Sequence, residues 1–210
     1  MKIFDISRPL FNGLAPWPGD TAFQNELKWK IAEGATVNVG AITMGVHNGS
    51  HADAPFHFEQ GATTIEQMPL EIYLGDAVVV DLTAKFGTDR TRQIMIGDLE
   101  SAPEAPRLLL KTGVWRDSKV FPEWIPVIAP DVAEWLGKRK VKLLGLDLPS
   151  VDPIEAKVLV NHHALAAAGI AIVESLDLSE VAAGTYHFSA LPLRITGGDA
   201  APVRAILWRD

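Results

Sequence analysis

Short apolar runs broken by glycine and proline along the whole chain are the feature that most limits how this sequence can fold. The 210 residues include 17 glycines and 14 prolines, and both residue types interrupt regular structure. Runs of this kind suit strands of about four to eight residues joined by turns better than long helices. Strands are expected at 2–6, 37–47, 77–82, 107–111, 141–146, 171–174 and 186–192, many of them rich in Val, Ile and Leu. A helix is expected over 130–136, with Pro130 near its start and Gly137 after its last turn. A second runs to Ala168, capped by Asn161 and ended by Gly169. The segments 65–73 and 96–99 carry weaker helical patterns. Strands mixed with helices in no regular alternation indicate an α/β or α+β domain rather than a doubly wound sheet.

No repeat or polar linker divides the chain, so residues 1–210 are expected to form one domain with a core large enough to need no staple. The net charge of -7 gives no footprint for nucleic acid or an anionic membrane. The basic cluster Lys138-Arg139-Lys140 reads as a solvated helix end. With no cysteine, disulfides, thiolate metal sites and a cysteine nucleophile are all ruled out. The N-terminus has no apolar signal core, and no segment approaches the roughly 18 apolar residues of a membrane span. A soluble, cytoplasmic protein is expected.

Three of the 6 histidines fall together in His47-Asn48-Gly49-Ser50-His51-Ala52-Asp53-Ala54-Pro55-Phe56-His57-Phe58. Imidazole and carboxylate are the ligand set of zinc, manganese or iron. Gly49 and Pro55 break any continuous helix here, so the donors belong to a strand end, a tight loop and a short following helix. Gly49 lets the backbone turn sharply enough for His47 and His51 to share a cavity that Asp53 can reach. A hydrolytic ion keeps a position for water and lowers its pKa towards about 7. His57 is either a further ligand or an uncoordinated proton shuttle, and spacing does not separate the two.

A second group lies downstream, in Asn161-His162-His163 and in Glu174 at the end of an apolar strand. A carboxylate there is costly unless it is paired or ligates a metal. Spacing leaves open whether His162 or His163 joins it, and whether a second ion binds at all. His187 reads as structural. Ser50 lacks a nucleophile elbow, and Gly197-Gly198-Asp199 lacks the spacing of a nucleotide loop.

The histidine segment resembles the His-x-Gly-Thr-His-x-Asp-x-Pro-x-His-Phe signature of the cyclase family of metal-dependent hydrolases, with Ser50 in place of the usual threonine. Gly145-Leu146-Asp147-Leu148-Pro149-Ser150-Val151-Asp152 is similar to a second family stretch, and so is the tail from Leu191-Pro192-Leu193-Arg194 through Asp199, Pro202 and Arg204. The likeness runs nearly end to end. It implies a compact α/β domain around a barrel-like mixed sheet with peripheral helices, forming a homodimer. It implies two divalent ions, usually zinc with manganese or cobalt also suited: one on His47, His51 and Asp53, the other on Asp53, His162 and Glu174. It also implies His57 as the acid/base and Trp17 as a wall of the substrate pocket.

Chain length, the Asp53-Ala54-Pro55 form of the motif and Pro16-Trp17-Pro18-Gly19-Asp20 are similar to the bacterial members that act in tryptophan degradation. These convert N-formyl-L-kynurenine to L-kynurenine and formate with a metal-activated hydroxide. The alternatives are a family hydrolase acting on a cyclic amide such as isatin, and a non-catalytic metal-binding protein on the same fold. The segment 10–21 is the candidate loop over the substrate.

Overall fold

A computed structural model describes residues 1–88 and 93–209. Thirteen strands follow in chain order: β1 (Lys2–Asp5), β2 (Gln24–Trp29), β3 (Val39–Thr43), β4 (His51–Asp53), β5 (Leu74–Asp81), β6 (Gln93–Ile94), β7 (Arg107–Lys111), β8 (Val127–Ile128), β9 (Leu143–Leu146), β10 (Ala171–Glu174), β11 (Gly184–Ser189), β12 (Ala200–Pro202) and β13 (Ile206–Arg209). Four helices are short: α1 (Thr83–Thr88), α2 (Ile96–Leu99), α3 (Val132–Lys138) and α4 (Val160–Ala167). Nine strands form one mixed sheet in the order β1-β13-β11-β5-β7-β9-β10-β4-β12, which curls into a half-barrel. The expected α/β fold around a barrel-like mixed sheet is therefore present.

The central strands β5, β7, β9 and β10 run parallel, and antiparallel strands flank them on both sides. Both faces of the parallel part are covered, which is why these strands read as unbroken apolar runs. Alternate residues divide between two cores. Ala77, Val79, Leu109, Leu143, Ala171 and Val173 join Phe188 and Leu207 in one. Val78, Leu108, Leu110, Leu144, Leu146 and Ile172 meet Leu136 of α3 and Leu165 of α4 in the other. A close approach holds the centre together. A methyl group at Gly145 would stand 2.4 Å from Leu109, so the side chain of β7 fills the space that β9 leaves.

Several boundaries differ from expectation for local reasons. The run 37–47 is a strand only to Thr43 and then turns, leaving His47 in a loop. Gly137 lies inside α3 rather than after it, against Ala168. Lys140 takes the left-handed turn instead, at φ 59. Asn161 is not the cap of α4, which starts at Val160. The Asp152 carboxylate does that work, accepting from the backbone N–H groups of Asn161 (2.9 Å) and His162 (3.1 Å). Gly169 ends the helix at φ 73, as expected. The segment 65–73 forms two separate 3-10 turns, Ile65–Gln67 and Leu70–Ile72. The antiparallel hairpin of β2 and β3 stands outside the main sheet. Among the described residues no helix is long and apolar enough to cross a membrane.

Leu109 is fully buried between strands. Leu109→Ala should lower the stability to denaturant by about 2–5 kcal/mol with the fold retained, because Gly145 offers nothing to refill the gap.

Candidate metal centre

The histidine segment is folded as its breakers require. Gly49 sits at φ 67, where a side chain would also press to 2.7 Å from Leu10. This turn lets His47, in the loop, face the start of β4, where His51 and Asp53 follow on one side of the strand. Ser50 is not a nucleophile. Its buried hydroxyl donates to the Ser175 carbonyl at 2.7 Å and accepts from the Arg8 N–H at 2.8 Å, which ties the loop to the end of β10. Pro55 opens the 3-10 turn Pro55–His57, and that turn carries His57 back over the site.

Sheet register brings in the second group. β10 pairs antiparallel to β4 with Glu174 directly opposite His51. α4 crosses between the parallel strands β9 and β10 and delivers His162 from its first turn. His162 is buried, and Asp152 accepts from its Nδ1 at 2.7 Å, leaving Nε2 turned to Asp53 and Glu174. His163 is exposed and packs edge-on to Phe58 instead. His51 is fixed in the same way, with Nδ1 donating to the Gly49 carbonyl at 2.9 Å.

The inward atoms have the spacing of ligands. Asp53 Oδ1 lies 3.3 Å from His47 Nδ1 and 3.4 Å from His51 Nε2. Its Oδ2 lies 3.6 Å from His162 Nε2, while Glu174 stands 3.5 Å from His51 and 3.6 Å from His162. Two donors bound tetrahedrally at about 2.1 Å from one ion are ~3.4 Å apart, so these separations fit shared cations. Three of the atoms, His51 Nε2 and both Asp53 oxygens, are buried without a hydrogen-bond partner. Orphaned atoms of this kind are costly unless a ligand satisfies them. Three groups of donors emerge among the described residues: His47-His51-Asp53 and Asp53-His162-Glu174, with Asp53 common to both, and the less buried His47-His57-Asp199 beside them. The residues present fit a divalent metal centre.

Electrostatics agree. Burial opposes charge on Asp53, but the imidazoles of His162, His47 and His51 outweigh it and hold the carboxyl well below its usual range. Burial likewise opposes the cationic form of His51 and His162, yet the surrounding carboxylates raise both to about 10. His47 is raised to about 9 against its burial by Asp199 and Asp53. A pocket of this charge binds positive charge, whether proton or metal.

His57 differs from the other three. Burial lowers its pKa, and no donor triad with Asp53 includes it. Its Nδ1 faces Asp199 Oδ2 at 3.3 Å, and the same oxygen lies 2.9 Å from His47 Nε2. Above these residues opens a cavity of about 500 Å³, walled by Trp17, Trp115, Phe121 and Pro149. Trp17, from the expected covering loop, meets Phe121 edge to face at 5.2 Å. His187 is exposed against Asp76 and Trp208, away from the centre. Asp152, Asp199 and Phe121 were not expected as site residues, although the two aspartates stand in stretches that resemble the family.

The Cyclase family model matches residues 4–153, and the chain belongs to that family. More particularly, it is 45% identical to the kynurenine formamidase of Geobacillus thermodenitrificans, over 97% of this chain and 95% of that one. It is 40% identical over the same shares to the kynurenine formamidase of Bacillus cereus. The solved structure of a predicted metal-dependent hydrolase from Bacillus stearothermophilus superposes with a TM-score of 0.79 at 28% identity, covering 98% of this chain and 97% of that one. Isatin hydrolase A from Labrenzia aggregata shares the fold, with a TM-score of 0.82 at 22% identity over 98% and 93% of the two chains.

The raised histidines imply a pH dependence for the metal-free protein. Folded pKa values of about 10 stand above the ordinary 6.5, so the stabilisation is complete below 6.5 and is lost as pH rises through 10. The melting temperature measured in chelator should therefore fall between about pH 7 and pH 9. A flat or rising midpoint would contradict the charge pairing.

Proposed function

We propose that the protein is a kynurenine formamidase, hydrolysing N-formyl-L-kynurenine to L-kynurenine and formate in tryptophan catabolism. The observation that carries this reading is a buried His/Asp/Glu donor set under an aromatic-walled cavity, with His57 at the junction of the two. The full-length likeness to curated kynurenine formamidases supports the choice of amide.

His47, His51 and Asp53 would hold one divalent ion, and Asp53, His162 and Glu174 a second. Zinc is our assignment, and manganese or cobalt suits the same donors. Bound ions of this type lower the pKa of a coordinated water towards about 7 and polarise the carbonyl under attack.

The chain's own groups do the rest. Trp17 and Phe121 offer faces and edges to the aniline ring, contacts of about 0.5–1.5 kcal/mol beyond burial. Burial keeps His57 neutral near pH 7, the form that accepts a proton from the attacking water. His57 then returns that proton to the departing aniline nitrogen, so formate and the free amine leave. This role is supported by Asp199 facing the Nδ1 of His57, which leaves Nε2 free.

A homodimer is the assembly we propose. The β2–β3 hairpin exposes Leu27, Trp29, Val39 and Ile42, an apolar surface suited to a second copy. The cysteine-free chain suits the reducing cytoplasm, where we place it.

The first test is turnover of N-formyl-L-kynurenine before and after chelation and after zinc is restored. Activity that disappears and returns supports the reading. Isatin turnover with none of the formyl amide would move the assignment to cyclic amides. His57→Ala should keep its metal while turnover falls about 10²–10⁴-fold; loss of metal would make His57 a ligand. Asp53→Ala should lose both ions by metal analysis, and a variant retaining two would end the bridging role.

A further inference from the structure

The Asp199 carboxylate stands between two histidines to which the fold gives different tasks. It precedes β12, whose Ala200 is paired with Asp53 of β4. Its backbone is held too, the Asp199 carbonyl accepting from the Ala54 N–H at 2.9 Å and that of Gly198 from Ile65 at 2.9 Å. The side chain is therefore delivered by a fixed strand end and not by a loose loop. One oxygen, Oδ2, meets His47 Nε2 at 2.9 Å and His57 Nδ1 at 3.3 Å, and the two rings lie 4.2 Å apart between centroids.

A carboxylate only accepts, so each imidazole nitrogen facing it must carry the proton. On His47 this places the hydrogen on Nε2 and frees the Nδ1 lone pair, 3.3 Å from Asp53 Oδ1, for a cation. On His57 it places the hydrogen on Nδ1 and frees Nε2. The choice of nitrogen is thus opposite on the two neighbouring rings and is made by a single oxygen. His51 and His162 have separate partners for this purpose, the Gly49 carbonyl and Asp152.

We propose that Asp199 is a positioning residue which sets the tautomer and orientation of both His47 and His57, selecting Nδ1 of the first as a metal ligand and Nε2 of the second as the basic atom. The proposal rests on the hydrolase reading above for the task of His57, but not for the tautomers themselves. It explains how a ligand and an acid/base of the same residue type can stand ring to ring without exchanging roles.

Three readouts test it on the zinc-loaded protein and its Asp199→Ala and Asp199→Asn variants. Nitrogen NMR of ¹⁵N-histidine-labelled protein should show His57 protonated on Nδ1 in the parent and a mixture of tautomers in Asp199→Ala. Zinc competition with a chelator should show affinity reduced about 10–100-fold, the usual cost of removing a partner behind a metal-ligating histidine. Turnover of N-formyl-L-kynurenine should fall mainly in kcat, by on the order of 10²-fold, with KM nearly unchanged. Asp199→Glu should recover part of each loss, and Asp199→Asn, which keeps the shape and an acceptor oxygen but not the charge that strengthens both bonds, should recover less. A parent-like tautomer and parent-like zinc affinity in both Asp199→Ala and Asp199→Asn would overturn the proposal. A parent enzyme inert towards the formyl amide would sink the formamidase reading alone, since the NMR and zinc measurements need no substrate.

Discussion

The Asp53 carboxylate is the group around which the structure is arranged. It lies in the half-barrel with both oxygens buried and without a hydrogen-bond donor, a condition that would cost several kcal/mol if nothing compensated it. Compensation comes from three imidazoles on three different pieces of chain: a loop, the same strand two residues earlier, and a crossover helix. Each must be placed to within a few tenths of an ångström, which short flexible elements do not achieve. The mixed sheet does so because its register is fixed by two apolar cores, so that sliding β4 by one residue would turn His51 and Asp53 away from Glu174. Packing in this protein thus serves to place a polar centre.

The polar supports follow a common pattern. His51 leans on a backbone carbonyl, His162 on Asp152, and His47 on Asp199. Asp152 has a double task, capping α4 and orienting the histidine in that helix's first turn. Helix start and donor geometry are consequently one feature and not two. The aromatic wall is built differently, from Trp17 in an N-terminal loop and from Trp115 and Phe121 beyond β7, so the cavity is assembled from segments other than those that carry the donors.

Much of this was legible in the residues. The spacing from His47 to His57, broken by Gly49 and Pro55, already implied a turn and a strand end, because few backbone paths satisfy both breakers. The parallel strands were visible as apolar runs for the same reason that they are buried on both faces. What stayed hidden depends on distant pairing. Asp199 is 152 residues from His47 and 142 from His57, and no local pattern announces such a partner. Asn161 looked like a cap since it precedes an apolar helix, but a carboxylate nine residues earlier reaches the N–H groups of Asn161 itself and of His162 with a full charge. Gly137 looked like a terminator, yet it is there because Ala168 of the neighbouring helix crowds it. Choosing His162 over His163 needed the family likeness; in the structure the two differ by burial, one inside against carboxylates and the other out against Phe58.

The donors are drawn from residues 47 to 174, and their last support is residue 199 of a chain of 210. During synthesis, the first three donors emerge long before the helix and strand that supply the other two, and Asp199 comes later still. A nascent chain therefore holds only the first triad, made of neighbours in sequence. The full donor set, with Asp53 common to two triads, comes together once β10 docks on β4 and β12 closes the sheet edge. Completion of the donor set is in this sense a late event of assembly, and a chain that has gathered all five donors has completed most of its fold.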